Sequence, residues 1–421
     1  MKKVSLIPLL LSSCLALTAN VNAESYLIQN ATLHTATAKG RLDNADILIK
    51  DRKIIQIGID LQPAKEDIVI DAKGKHVTPG FMNAATNLGL VEIGAVSSTV
   101  DASTQIEGMG ASFDIAPAIN FRSTLIPQNR INGLTRAVVN PRMGKELFAG
   151  QGAIIALHST REGLLKTGAV QLASYSASKA GGSRAAIYAM LDRVLQEAKF
   201  VKRNPNQYIP GKKYEFSQSL ADLKALFPVL EKKMPLIVSA NRADDILNLI
   251  ELKRKHGIKL VISEAKEAWL VGQQLAAAGV PVIINPISNM PGFDSLSVSL
   301  DGAAKLFQSG VKLIFTGGGS HNAYLVRQSA GNAVAYGLPH DVAVEAMTIN
   351  PAEVFGIRNY GQLEIGMDAD VVVWDGDPLD VSSNAEMVFI QGEKQAMVSR
   401  ATRLRDRYWE LKGNNKQGFI K

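Results

Sequence analysis

The chain has one cysteine, Cys14, among 421 residues. That scarcity excludes a disulfide framework, a thiolate metal site and a cysteine nucleophile in any form of the protein that loses its first residues. Histidine is also scarce, at 6, and aromatic residues make up only 6%. No uninterrupted apolar run reaches the roughly 20 residues that a membrane-spanning helix needs, and no low-complexity tract or fixed-period repeat is present. Any metal held by the mature chain therefore has to rely on nitrogen and oxygen ligands.

The first residues read as an address. MKK supplies a basic start, VSLIPLLLSSCLALTA an apolar stretch interrupted by serines and Pro8, and Val21-Asn22-Ala23 a small-residue cleavage site before Glu24. Residues 1–23 are thus expected to be a secretory signal peptide and the mature protein to be periplasmic. Leu11-Ser12-Ser13-Cys14 also has the form of a lipoprotein box, so acylation at Cys14 is the competing expectation. The formal net charge is +7, and Lys2 and Lys3 leave with the leader, so the mature excess is modest. Basic residues gather in SRATRLRDRYWELKGNNKQGFIK but are broken by Asp406 and Glu410. A solvated basic helix and tail over 401–421 is expected, with no nucleic-acid role.

Beyond the leader, SYLIQNATLHTAT, ADILIKDRKIIQIG and DIVIDAKGKHVTPG are short alternating or apolar runs separated by Asn, Asp and Gly turns, as in an antiparallel sheet. From Phe81 the pattern changes. TRAVVN, GAIIAL, PLIVSA, IKLVIS, VPVIINP and VKLIFTG read as strands, several of them separated by helical segments such as RADDILNLIELKRKHG. This rhythm predicts parallel βα units closed into a (β/α)8 TIM-like barrel. Period-2 strands return in GQLEIGMDADVVVWDGDPL and AEMVFIQGE. The expected organisation is a small discontinuous β-sandwich (24–76 and 358–400) around a barrel (77–357). Two Ser-, Asn- and Gly-rich stretches, residues 95–130 and 172–213, are expected as long loops over the barrel mouth, where such folds build function.

In their order, ADILIKDRKIIQIG, DAKGKHVTPGF, AVAYGLPHDVAVEAMTINPAEVFGI and GQLEIGMDADVVVWDGDPL span nearly the whole mature chain. They resemble the amidohydrolase superfamily, and within it the secreted imidazolonepropionase-like members. That resemblance implies a hydrolase of non-peptide C–N bonds whose strand ends hold one or two divalent metals, usually zinc, to activate water. Its first ligand pair is His-x-His after the Pro-Gly turn, usually preceded by Asp. Here PGFMNAATNLGL places Asn83, Ala85 and Asn87 at those positions, and His-x-His occurs nowhere in the chain. A methyl group cannot bind a metal, and a carboxamide is a poor substitute for imidazole.

The later positions agree. Strand five ends in Ser239 and Asn241 where a histidine is expected, strand six offers Glu264, and strand eight offers Gly318 in place of the metal-binding aspartate. GAIIAL contains no lysine that could be carboxylated to bridge two metals. The resemblance implies zinc, but with the ligands missing the expectation is no bound metal.

Among the histidines, His34 and His76 fall in the β domain, His256 at a helix end suited to C-terminal capping, and His340 near a helix start. His158 and His321 follow predicted strands, and with Asp114, Glu264 or Asp294 they could form a non-standard centre. Asn87, Arg142, His158, Asn241, Arg242, Glu264, Asn285 and His321 are the candidate pocket residues. Arg142 and Arg242 could clamp a carboxylate, or each could pair with an acid such as Asp244 or Asp245. GGGS at Gly317–Ser320 lacks the lysine of a phosphate loop and reads as a tight turn. FVKRNPNQYIPGKKYEF reads as a solvated loop.

Two functions remain open. One is a protein with a degenerate centre that binds a small ligand or serves as a non-catalytic subunit, as a homo-oligomer or beside a catalytically complete relative. The other is an active hydrolase with a non-standard metal centre.

Overall fold

The computed structural model describes residues 24–205, 215–288 and 290–409. The leader, part of the basic-aromatic loop and the end of the basic tail lie outside these residues. No helix among the described residues is long and apolar enough to cross a membrane.

The first sheet begins with strands β1 (Ser25–His34), β2 (Arg41–Lys50), β3 (Lys53–Gly58), β4 (Asp67–Asp71) and β5 (His76–Pro79). β1 is shared between two partners. Ser25–Gln29 pairs in parallel with β4, and Thr32 and Leu33 pair with His76 and Val77 of β5. Asn30 stands between the two halves with φ +56°, a left-handed turn that its short amide side chain tolerates.

The second sheet holds β6 (Phe81–Thr86), β7 (Leu134–Val139), β8 (Phe148–Ala156), β9 (Leu164–Ser174), β10 (Leu236–Ala240), β11 (Leu260–Glu264), β12 (Val282–Ile284) and β13 (Leu313–Phe315). The chain then returns to the first sheet with β14 (Val371–Trp374), β15 (Ala385–Ile390) and β16 (Glu393–Lys394). β14 lies antiparallel on β5, which joins the two ends of the chain in one eight-stranded sheet. The β domain is discontinuous, as the pattern predicts, but its hydrogen bonding is continuous and does not divide into two separate sheets. Tyr26, Ile28, Ile47, Val371 and Phe389 lead its core.

The second sheet runs in order from β6 to β13 as a nearly closed barrel. Each strand contributes an apolar side chain, from Met82 of β6 to Ile314 of β13, to a buried cluster that Phe355 and Tyr360 complete. This is the packed interior of a TIM-like fold. One strand departs from the prediction. β8 is antiparallel to both β7 and β9, whereas the other neighbouring pairs are parallel. The cause is connection length. The links at 140–147 and 157–163 are shorter than the dozen or so residues that a parallel crossover requires.

Between β13 and β6 the ladder is open. The gap is bridged by Phe315 N–H donating to Ala346 O at 2.9 Å and Met82 N–H donating to Met347 O at 2.8 Å. At the other end, the barrel is fixed to the first sheet by Arg136 of β7. Its guanidinium, 3% exposed, binds Asp370 at 2.9 Å and Asp368 at 2.8 Å, and it lies 4.1 Å over the Tyr360 ring. Burial alone would lower its pKa, but the two carboxylates hold it above the usual arginine value.

Candidate functional site at the barrel mouth

The C-terminal end of β6 carries the positions where the resemblance implies metal ligands. Asn83 is fully buried, and every hydrogen-bonding position on its amide is used. Nδ2 donates to Gly317 O at 2.5 Å and to Ala323 O at 2.7 Å. Oδ1 accepts from Thr316 Oγ1 at 2.8 Å and from the Ala85 amide at 3.1 Å. Asn87 is committed too. It donates to Asn140 O at 2.8 Å, accepts from Arg142 Nε at 3.0 Å, and its backbone N–H meets Gly319 O at 2.7 Å. Ala85 offers no donor atom.

The turn after β13 excludes a side chain by geometry. A Cβ at Gly317 would lie 2.8 Å from Val326 N, and one at Gly318, where φ is +60°, would lie 2.1 Å from Asn322 O. Neither glycine could be an aspartate without the turn moving. Ser239 is bonded to Ser174 at 3.1 Å, and the Glu264 carboxylate accepts from Asn241 Nδ2 at 2.7 Å. A set of carboxamides, hydroxyls, glycines and a single amide-bonded carboxylate does not fit a catalytic divalent ion.

The mouth does hold a cavity, of about 260 Å³, above the ends of β9, β10 and β11. Of the sequence candidates, Asn241, Arg242 and Glu264 line it together with Ser239. Arg184, Asp245 and Asp294 complete its charged wall. Arg184 opens the helix Arg184–Arg203, which Ser183 caps by accepting from the Ala186 amide. Its guanidinium binds Asp245 at 3.1 Å and Asp294 at 2.5 Å. Burial raises the Asp245 carboxyl above its usual value despite Arg184. The adjacent Tyr175 hydroxyl is pushed up to about 12, first by burial and then by Asp245. The Arg242 backbone carbonyl accepts from the Ile246 amide at 3.1 Å, while its guanidinium makes no hydrogen bond or ion pair among the described residues and acts on Asp245 only through its charge.

The backbone at the cavity edge is strained. Glu264 and the next residue, Ala265, have φ of +67° and +49°, in the left-handed region that side chains with a Cβ avoid. The Ala265 N–H is held by Ala240 O at 3.0 Å and Ser263 O at 2.9 Å, which fixes the Glu264 carboxylate over the cavity. Strain of this kind gathers at binding sites.

The remaining candidates lie elsewhere. Arg142 is exposed and pairs with Asn87, not with an acid. Asn285 accepts from Ser329 Oγ at 2.9 Å, a bond across the barrel wall. His321 is exposed on the loop after β13. His158 requires correction. Because β8 is reversed, its C-terminal end faces the first sheet, and His158 meets Gln391 at 3.3 Å and Glu393 at 4.0 Å. Its predicted position at the mouth assumed a parallel strand. The same reversal moves the lysine position from GAIIAL to the end of β9, where Ala173 and Ser174 stand. Asp114 binds the Ala116 amide at 3.0 Å. His256 does not cap its helix, because its ring pairs with Asp192 at 2.8 Å.

Sequence reasoning missed Arg184, Asp245 and Tyr175 as cavity residues. The acidic pair Asp244-Asp245 at a helix start was the one available signal. It also missed a cluster far from the mouth, where His34, His340 and Asp341 bring three potential ligand atoms within 4.8 Å of one another.

Residues 232–399 match the model of the amidohydrolase family. An amidohydrolase from Thermotoga maritima MSB8 has the same fold, with a TM-score of 0.77 at 24% identity, covering 88% of this chain and 99% of that one. Among curated proteins, the amidohydrolase tasK of Hapsidospora irregularis is 40% identical over 75 residues, 18% of this chain and 8% of its own length. The D-hydantoinase of Ralstonia pickettii is 35% identical over 115 residues, 27% of this chain and 22% of its own. The chain thus spans less than a quarter of each of these curated relatives.

Proposed function

We propose that the chain, whose residues 232–399 match the amidohydrolase family and whose barrel mouth presents amides, hydroxyls and glycines where the resemblance implies metal ligands, is a periplasmic, non-hydrolytic member of that family. Its role is to bind a small amide- or carboxylate-bearing ligand, alone or as a subunit beside a catalytically complete relative. The observation that carries this reading is the contrast at the mouth. The metal positions are consumed by protein-to-protein hydrogen bonds, while a polar cavity beside them keeps the Arg242 guanidinium available. A guanidinium is suited to a carboxylate, which it can bind through two parallel bonds. Asn241 and Ser239 offer amide and hydroxyl groups next to it, and the strained Glu264 edge supports a binding role for the same cavity.

A cavity of about 260 Å³ is slightly below the range of about 300–1,000 Å³ usual for ligand pockets, so a small ligand is implied. The relatives' names include a hydantoinase and a dihydroorotase, and their kinship supports cyclic amides and amide acids as the first compounds to try. The alternative of an active non-standard centre built on His158 and His321 loses its basis, since the two lie at opposite ends of the barrel. The test is a thermal-shift screen of the mature chain with small carboxylates, linear amides and cyclic amides. A rise in melting temperature that Arg242→Gln abolishes supports binding. Turnover of any of these compounds, or a shift indifferent to Arg242, overturns the reading.

A further inference from the structure

Three of the histidines meet where the first sheet packs on the barrel. His34 ends β1, His76 begins β5, and His340 with Asp341 opens the helix His340–Glu345. The His34 ring lies 5.1 Å from both the His76 and the His340 rings. His34 Nε2 is hydrogen-bonded to His76 Nδ1 at 2.9 Å. His340 Nε2 donates to Asp377 Oδ1 at 3.0 Å, and that carboxylate oxygen is itself fixed by the Leu379 amide at 2.8 Å.

These bonds determine what the other ring nitrogens present. A carboxylate can only accept, so the His340 proton sits on Nε2 and its Nδ1 is a bare lone pair. In the tautomer in which His34 Nε2 donates to His76 Nδ1, His34 Nδ1 is bare as well; the reverse tautomer places a proton there. His34 Nδ1 is fully buried and has no hydrogen-bond partner, in a side chain 4% exposed. Both nitrogens face Asp341 Oδ1, at 4.0 Å from His34 and 3.9 Å from His340. In that tautomer, with the His340 ring neutral, three acceptors converge with no proton between them, and the separations from Asp341 Oδ1 are too long for hydrogen bonds. A buried acceptor left without a partner is costly.

From this arrangement we infer that His34 Nδ1, His340 Nδ1 and the Asp341 carboxylate form a binding site for a borderline divalent cation of the zinc class. Two imidazoles and a carboxylate suit that class, and tetrahedral zinc places its donors about 3.3 Å apart. The three ligand atoms lie within 4.8 Å of one another, so the ion has to draw them together, with Asp341, 57% exposed and on the first turn of its helix, the freest to move. Water takes the fourth position from its open side. The His340–Asp377 bond is the carboxylate–histidine pairing that orients metal ligands elsewhere. Because His34 belongs to the first sheet and His340 to a helix following the last barrel strand, the ion ties the two parts of the molecule together. This site is independent of the ligand reading at the mouth.

The test uses the full mature chain, stripped with chelator and titrated with ZnCl2 alone. The expected result is about one zinc per chain, with a rise in melting temperature. Asp341→Asn and His340→Gln should weaken uptake at least ten-fold, and Asp377→Asn by about 10- to 100-fold. Mouth variants Glu264→Gln and His321→Gln should leave it unchanged. Absence of zinc uptake overturns the proposal, as does uptake that persists in Asp341→Asn or disappears in Glu264→Gln. If His340→Gln does not fold, the exposed Asp341→Asn decides.

Discussion

The side-chain amide of Asn83 donates to the carbonyl of Gly317 at 2.5 Å, across the seam where β6 and β13 share no ladder. Asn83, standing where the resemblance implies an aspartate ahead of the first ligand pair, thus serves here to close the barrel. Its second donor, to Ala323 O, and its two acceptor contacts make that role specific to an amide.

Asn83→Asp should be strongly destabilising. A carboxylate would face two carbonyl oxygens in a fully buried site, and an uncompensated buried charge costs about 3–5 kcal/mol. Chemical denaturation of the purified variant checks this. A variant as stable as the parent would show that the amide bonds do not hold the seam.

Restoring an aspartate after β13 should damage the turn and create no site. Gly318→Asp meets both a positive φ and the Asn322 carbonyl, and a loss of at least about 1–3 kcal/mol is expected. Thermal unfolding and metal content measured together separate the outcomes. A stable variant that gains a zinc ion would contradict the prediction.

Breaking the seam between barrel and first sheet should be as costly as losing Asn83. Asp370→Asn leaves the Arg136 guanidinium buried against one carboxylate, at a cost of about 3 kcal/mol or more. Arg136→Met with Asp370→Leu, which removes both charges together, should recover much of the loss. Urea midpoints for the two variants give the comparison.

Acid should weaken the fold through His256. Burial lowers the pKa of its ring below the ordinary 6.5, outweighing Asp192, and its Nδ1 has no partner to accept from it when protonated. The unfolded chain therefore binds a proton that the native chain refuses. Stability present above pH 6.5 is lost as pH falls below that value. His256→Gln keeps a donor toward Asp192 and should flatten the dependence below pH 6.5. An unchanged slope in melting temperature would assign acid sensitivity to other groups.

Much of the fold was legible because burial imposes a period. Runs such as PLIVSA and VKLIFTG are short, apolar and bounded by turn residues, as buried strands are, and the strands after residue 358 do pair with one at the start. The direction of GAIIAL was not legible from its own residues. It is set by the short links on either side, and His158 was misplaced with it. That Ala85 and Asn87 carry no imidazole could be read directly, because it is a matter of residue type. What the end of β6 does instead could not be read. Asn83 finds its partners more than 230 residues away, and Arg184 reaches Asp245 and Asp294 only through the closed barrel. The histidine cluster draws on positions 34, 76 and 340, which come together through the β1–β5 pairing and the packing of a late helix.

The reversed β8 has one more effect. A cylinder whose staves all point one way delivers eight tips to a single rim; here one stave is inverted, so its tip is spent at the opposite end. The rim is a tip short, and its furnishing comes instead from the span that crosses above it and from the helix that Arg184 begins. If the mouth cavity takes a ligand as proposed, exchanging residues 175–184 should alter its selectivity alongside the strand-end residues Asn241, Arg242 and Glu264.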